Sequence, residues 1–439
     1  MKFSRFSLFE FDYPEKGYTL IYNTLSKSVV TIETDIYNKI INNSISDVNE
    51  IYLSKLCEQG ILVQDNDNEN SKLNMYFSKL KSEYPSYATM VLTSYDCNLK
   101  CTYCFENSIK NINQEMTPEV TQQTINWLKK EIDQYSSNFF SIAFSGGEPL
   151  LNKKSLVDIS RELNNYCNYK GIKYSFGILS NGTIELDDNE LNEFYILGLR
   201  FIQYTIDGPK EIHDARRILN GGSYNKIIQN IKSIDSRIPV QTIIRINIDK
   251  ENIETIDELL TEIKSLSIKK LVIDVAPRFA SSCDIYNCNS NVINDNFLAE
   301  QIILLNKKIS SLGLTHSRRF TSSTPCLAIS LRQFVIDPLG DLYKCAGFAG
   351  MKEFKVGSVF DDKLNKNYID IVGLDNWHNC KSCEFVPLCG GGCMYINHIE
   401  FNDYKKTKCQ KQLFSNIVMK TLISSLNKEK IKSQLTSIN

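Results

Sequence analysis

The chain has 439 residues, 42% of them hydrophobic, which is too long for one ordinary core and predicts two or three globular domains. Fifty basic residues against fifty-one acidic ones leave a net charge of −1. No run of like charge suggests a nucleic-acid tail or a membrane-surface helix, so neither nucleic acid nor membrane is an expected partner.

The opening "MKFSRFSLFEFDYPEKG" carries Glu10 and Asp12 where a signal peptide needs its apolar stretch, and no later segment approaches about 18 uncharged apolar residues. A cytoplasmic location is therefore expected. In a reducing compartment, fourteen clustered cysteines read as metal ligands rather than a disulfide framework.

Residues 1–75 mix strand patterns, "YTLIYNT" and "SVVTIET", with the helical patterns "DIYNKIIN" and "EIYLSKLCEQGILV". The polar run "QDNDNENSK", residues 64–72, reads as a linker closing this module. From residue 88 the rhythm changes: "TMVLTSY", "FSIAFSG", "KYSFGILSNG", "RFIQYTIDG", "VQTIIRINI" and "KKLVIDVAP" are apolar runs of strand length. Each is followed by a helical pattern, which predicts six parallel β-α units in an open sheet or partial barrel with its chemistry at the C-terminal strand ends. From residue 283 onward, long helical patterns end with "NFLAEQIILLNKKISSLG", and nine cysteines follow from Cys283 to Cys409. So cysteine-dense a segment is expected to fold around metal. Cys57, Cys167 and Trp127 read as ordinary core residues.

Just after the first strand of the repeat, "SYDCNLKCTYCFEN" sets Cys97, Cys101 and Cys104 in C-x3-C-x2-C spacing. A four-iron cluster held by three thiolates leaves one iron able to bind something else, although spacing alone also admits zinc with a distant fourth ligand. The triad, with aromatic Tyr103 before its third cysteine, closely resembles the signature of radical S-adenosylmethionine (SAM) enzymes. The resemblance implies that the open iron is chelated by the amino and carboxylate groups of SAM, which is then cleaved to methionine and a 5′-deoxyadenosyl radical.

Further segments are similar to the same family. "SGGEP" at the second strand end, Ser145, Gly146, Gly147, Glu148 and Pro149, looks like the stretch that contacts the methionyl amino group, with Glu148 able to accept from the ammonium. "LSNGT", with Ser180 and Asn181, resembles the ribose-side motif. "TIDGPKEIHDARR", with Thr205, Asp207 and Arg217, resembles a stretch of the SPASM branch. For the last of these, His213 and Asp214 as helix caps and Arg217 as a solvated charge stay open.

The C-terminal spacing, C-x13-G-x4-C and then C-x2-C-x5-C-x3-C and a final cysteine, is very similar to the SPASM domain. Two zinc ribbons stay open on spacing alone. The resemblance implies a distal cluster on Cys380, Cys383, Cys389 and Cys409 and a nearer one on Cys326, Cys345 and Cys393. The nearer set lacks a fourth ligand, which Cys283, Cys288 or a substrate thiolate would supply. In all, the resemblance implies SAM and three [4Fe-4S] clusters, one radical-generating and two auxiliary. It also implies a flavodoxin- or ferredoxin-type reductant.

The expected architecture is thus a winged-helix-like leader-peptide recognition module at 1–75, a partial (β/α)6 barrel at 76–282 and a bridging region with an iron–sulfur SPASM domain at 283–439. The expected activity is an oxidoreductase that installs thioether cross-links on a cysteine-containing ribosomal precursor peptide with a leader. Sulfatase-type residue oxidation is disfavoured because Ala346 stands where that branch has an aspartate base. It stays open nonetheless, together with carbon–carbon cross-linking and a zinc-stabilised peptide-binding or electron-transfer protein.

Overall fold

A computed structural model describes residues 1–82, 87–104, 114–134, 137–278, 295–317, 326–426 and 431. At the N-terminus, β1 (Lys2–Phe3) precedes a three-stranded antiparallel sheet of β2 (Ser7–Phe11), β3 (Tyr18–Asn23) and β4 (Val29–Glu33), in that spatial order. Helices α1 (Thr34–Ile41) and α2 (Glu50–Glu58) follow, and β5 (Leu62–Val63) returns to pair with β1. Ile21, Ile32, Ile40, Leu53, Leu56, Ile61 and Leu62 form a small core of their own here.

The linker expected at 64–72 is cut short, because helix α3 (Glu69–Ser82) starts inside it. Glu69 accepts from Ser4 Oγ at 2.6 Å and from the Arg5 amide at 3.3 Å, which ties the first helical turn to the β1–β2 connection. Leu73 and Phe77, one turn apart, then bury an apolar stripe, with Phe77 stacked on Trp377 at 4.1 Å. Phe6, Tyr22, Leu73 and Phe77 belong to the main core, so the N-terminal module is packed onto the rest of the molecule.

All six expected strands form, and all are parallel. They are β6 (Tyr87–Ser94), β8 (Phe139–Gly146), β9 (Lys173–Ser180), β10 (Leu199–Thr205), β12 (Gln241–Ile248) and β13 (Leu271–Pro277). Two short strands between them, β7 (Lys100–Cys101) and β11 (Arg217–Ile218), pair with each other off the sheet. The connecting helices are α4 (Pro118–Gln134), α5 (Lys153–Lys170), α6 (Asp188–Leu197), α7 (Lys210–Arg216), α8 (Tyr224–Arg237) and α9 (Ile256–Ser265). In α8, Tyr224, Ile227, Ile231 and Ile234 recur at helical spacing and are buried.

The sheet does not stop at residue 282. After α10 (Asp295–Ser311), β14 (Thr315–His316) adds beside β13. On the opposite edge β15 (Val335–Ile336) pairs parallel with β6, and β16 (Asp341–Tyr343) and β17 (Gly357–Ser358) continue as an antiparallel meander, giving ten strands. Short helices α11 (Lys366–Val372), α12 (Val386–Cys389) and α13 (Met394–Phe401) follow.

One long helix was not expected from the sequence: α14 (Lys411–Ser425), which packs on α10. Its buried Leu413, Phe414, Ile417, Val418, Thr421 and Leu422 recur in pairs one turn apart, a helical stripe beyond the last cysteine. No helix among the described residues is long and apolar enough to cross a membrane.

Candidate radical-cluster cavity and cysteine sets

A cavity of about 480 Å³ opens at the C-terminal ends of the parallel strands, lined by Cys97, Cys101 and Cys104 together with residues from several strand ends. The triad loop is fixed from two sides. Its β7 pairs with β11, setting Cys101 opposite Arg217, and the Thr102 amide donates to the Arg216 carbonyl at 3.0 Å. Asn181, at the end of β9, donates from Nδ2 to Cys97 Sγ at 3.6 Å and to Asn98 Oδ1 at 2.7 Å. An amide donor of this kind suits a thiolate.

Close backbone approach explains the glycines of "SGGEP". Gly146 has φ 127°, and a Cβ there would strike the Ser94 carbonyl. A Cβ on Gly147 would lie 2.6 Å from the Tyr95 carbonyl oxygen. Both positions therefore press the β8 end directly against the start of the triad loop.

Of the expected cofactor-binding residues, Tyr103, Ser145, Gly146, Gly147, Ser180, Asn181, Thr205 and Arg217 line the cavity, whereas Glu148, Pro149 and Asp207 do not. Glu148 is fully buried and already engaged. Its carboxylate accepts from Ser180 Oγ at 2.9 Å, the Asn181 amide at 2.6 Å and the Leu150 amide at 3.1 Å. Burial pushes its pKa up to about 7, partly offset by those donors. It holds the β8 and β9 ends together behind the cavity wall. Pro149 is buried too, its carbonyl accepting from Thr93 Oγ1 at 3.0 Å.

Asp207 is also wholly buried; it accepts from Tyr103 Oη and, at 3.1 Å, from the Asn247 amide. Arg217 donates to Tyr103 Oη at 2.9 Å, so it is a buried partner of the triad loop and not a solvated charge. Its Nε finds no hydrogen-bond partner among the described residues, which leaves a cationic donor at the cavity wall. Asp214 does act as a cap, receiving the Ser223 and Tyr224 amides at 2.7 and 2.8 Å at the start of α8.

Further lining residues escaped the sequence reading. Gln203, two before the expected Thr205 on β10, and Arg245 with Asn247 on β12 face the cavity, with Thr205 in register with Arg245. The available signal was polar alternation at the last turns of otherwise apolar strands. Arg278, Gly347 and Tyr395 also line the cavity, the last two from the cysteine-rich region. Tyr395 is pushed up to about 12 by burial and by the thiols of Cys345, Cys393 and Cys104. It therefore stands between the triad and the nearer cysteine set.

Cys380, Cys383, Cys389 and Cys409 line one small space. Cys345 is raised by burial and then by Cys326 and Cys393, and Cys326, raised to about 11, by burial and Cys393. Cys283 and Cys288 lie outside the described residues. Among the described residues no three His, Cys, Asp or Glu side chains are placed to share one metal ion. Cys167 is buried as expected, as is Trp127, while Cys57 is half-buried.

Residues 91–263 match the model of the radical SAM superfamily. The chain carries a radical SAM domain. It is 26% identical to radical SAM cyclopropyl synthase TigE of Paramaledivibacter caminithermalis over 85% of this chain and 82% of TigE. It is 28% identical to a cysteine-type anaerobic sulfatase-maturating enzyme of Clostridium novyi over 68% of this chain and 85% of that protein. Among solved structures, anSMEcpe with bound AdoMet superposes with a TM-score of 0.62 at 19% identity, covering 80% of this chain and 98% of that one. Streptococcus suis SuiB does so with a TM-score of 0.55 at 18% identity over 94% and 99%. These likenesses establish the radical SAM α/β fold with its large parallel sheet.

Superfamily membership implies SAM and one [4Fe-4S] cluster, and the cavity's donor chemistry suits both. Cys97, Cys101 and Cys104 are the cysteines among its described lining residues, and no carboxylate or imidazole is among them to compete for iron. Hydroxyl, amide and guanidinium groups from β8, β9, β10 and β12 face the remaining volume and can bind an amino acid and a ribose. When bound, the pair supplies reductive cleavage of SAM and hydrogen abstraction from a substrate. The chain itself holds the triad loop rigid through Asn181, Tyr103 and Arg217, and encloses the site beneath the sheet ends.

Proposed function

We propose that this radical SAM enzyme is a peptide maturase that forms thioether cross-links on a cysteine-containing ribosomal precursor. The carrying observation is that the wall of the triad cavity is completed by Gly347 and Tyr395, each two residues from a cysteine of the nearer set. A substrate reaching the radical site thus passes beside Cys345 and Cys393. In this reading Cys97, Cys101 and Cys104 hold the radical-generating cluster, and Cys326, Cys345 and Cys393 hold an auxiliary cluster open to a substrate thiolate. Cys380, Cys383, Cys389 and Cys409 close a second auxiliary cluster. Thr407 Oγ1, buried beside that distal set without a hydrogen-bond partner among the described residues, supports a group bound there.

The N-terminal module, residues 1–75, would take the leader on the free edge of β4. A groove of about 460 Å³ runs there between β4 and α2, lined by Thr31, Glu33, Val48, Ile51, Tyr52 and Lys55. An extended peptide can add to such an edge through main-chain hydrogen bonds. One solved relative, SuiB, is bound to precursor peptide SuiA, which supports a peptide substrate here.

Two other outcomes have specific support. TigE is a cyclopropyl synthase, which favours carbon–carbon bond formation, and the Clostridium relatives mature sulfatases. Against the latter, Ala346 follows Cys345 where the expected base would stand. Mass spectrometry of a short cysteine-containing peptide encoded beside the gene, co-expressed with the enzyme, tests the proposal. A loss of 2 Da per cross-link with a blocked thiol is the expected result; the same mass loss with the thiol still free to alkylate would move the assignment to carbon–carbon linkage.

A further inference from the structure

The turn between β3 and β4 does more than connect two strands. Thr24, at its start, donates from Oγ1 to the Glu384 carbonyl at 2.5 Å, and Lys27 makes a long 3.5 Å contact from Nζ to the Pro387 carbonyl. Tyr76 of α3 donates from Oη to the same Pro387 carbonyl at 3.0 Å, and Lys27 Nζ lies 5.7 Å from the centre of its ring. Glu384 directly follows Cys383, and Pro387 lies two residues before Cys389. A second line of contact reaches the other end of the same loop. Phe77 stacks on Trp377, while Lys81 donates to the Leu374 carbonyl at 2.8 Å and lies 4.8 Å over the Trp377 ring. Trp377 shares the single-turn helix Asn376–Cys380 with Cys380.

The loop carrying three of the four distal cysteines is therefore held from behind by α3, and in part by the turn that feeds β4. Peptide dipoles and hydrogen bonds next to a cluster's thiolates tune its potential. We infer that Thr24 and Tyr76 are positioning residues for the distal auxiliary cluster, and that they couple the β4 edge to it. This rests on the reading of Cys380, Cys383, Cys389 and Cys409 as cluster ligands. Coupling is reciprocal: what binds or stiffens β4 shifts the cluster, and the cluster's state shifts β4.

The test uses the full-length protein with Cys97, Cys101 and Cys104 replaced by alanine, so that only auxiliary clusters contribute signals. After anaerobic loading with iron and sulfide, bound iron is counted and the midpoint potentials are measured by redox titration with electron paramagnetic resonance. Thr24→Val and Tyr76→Phe are then introduced singly; both preserve shape and remove one hydrogen bond. One auxiliary signal is expected to move in each variant while the other stays. Amide exchange at residues 24–33 should also differ by about fivefold or more between oxidised and reduced protein, and by less in the variants. About eight iron atoms per chain with both potentials unmoved, or both moved alike, overturns the inference while leaving the cluster assignment standing. About four irons with a single signal that neither variant moves overturns the inference alone, and iron near zero overturns both.

Discussion

The protein builds its cysteine sites in two different ways. Cys97, Cys101 and Cys104 sit on a loop at the end of a regular parallel sheet, clamped by strand pairing to β11 and by Asn181. Their surroundings are complete without metal. The C-terminal cysteines lie on turns and one-turn helices, with α12 only four residues long and Gly390, Gly391 and Gly392 all at positive φ. The distal four line one small space, and burial raises Cys389 to about 11 against the offsetting Gly391 and Gly392 amides. If both sets hold clusters as proposed, metal adds chemistry to a finished fold in the first case and completes the fold in the second.

The sharpest way to break that contrast is to compare the sets for stability. Replacing Cys380, Cys383, Cys389 and Cys409 with serine should unfold or aggregate the C-terminal region, seen as lost soluble protein or a melting temperature lower by about 10 °C or more. Replacing the first triad with alanine should leave melting within a few degrees of wild type. Equal losses would end the distinction.

Next in size, Trp377→Ala removes the stack with Phe77 and should cost about 3–5 kcal/mol in denaturant titrations. If the cost is small, α3 does not support the distal loop. Gly147→Ala drives a methyl group into the Tyr95 and Asp96 carbonyls and should cost about 1–3 kcal/mol. Its larger effect should be on SAM binding by equilibrium dialysis; unchanged affinity would show that the β8 end does not shape the cavity.

The smallest expected effect is on pH dependence. Glu148, raised to about 7 from 4.5, binds its proton more tightly folded than unfolded. The stability it contributes is therefore complete below pH 4.5 and is lost as pH rises through 7. Glu148→Gln should flatten that decline in melting temperature, and an unaltered slope would mean that Glu148 is solvated or differently paired.

The six parallel strands were legible because each is an apolar run of strand length closed by polar or glycine residues, with every second residue of β8, β10 and β12 packed into the core. The strands of two or three residues at 335–336, 341–343 and 357–358 carry no such pattern. They exist because β6 offers them an edge. Helix α14 had a readable stripe that the neighbouring cysteines overshadowed. In the site, the cysteines and glycines announced themselves by spacing. Glu148 and Asp207 looked like cofactor contacts in one dimension but turn away to brace the loops. Gly347 and Tyr395 reach the cavity from about 240 and about 290 residues beyond the triad, a separation that no local pattern in the sequence bridges.

The central claim is that the cavity at the strand ends cleaves SAM at a cluster held by Cys97, Cys101 and Cys104. The direct measurement is 5′-deoxyadenosine released by the anaerobically reconstituted full-length protein with SAM and dithionite, beside the variant in which these three cysteines are alanine. Release by the wild type and none by the variant is the predicted result. An iron-loaded wild type that releases nothing, or a variant that releases as much, would contradict it.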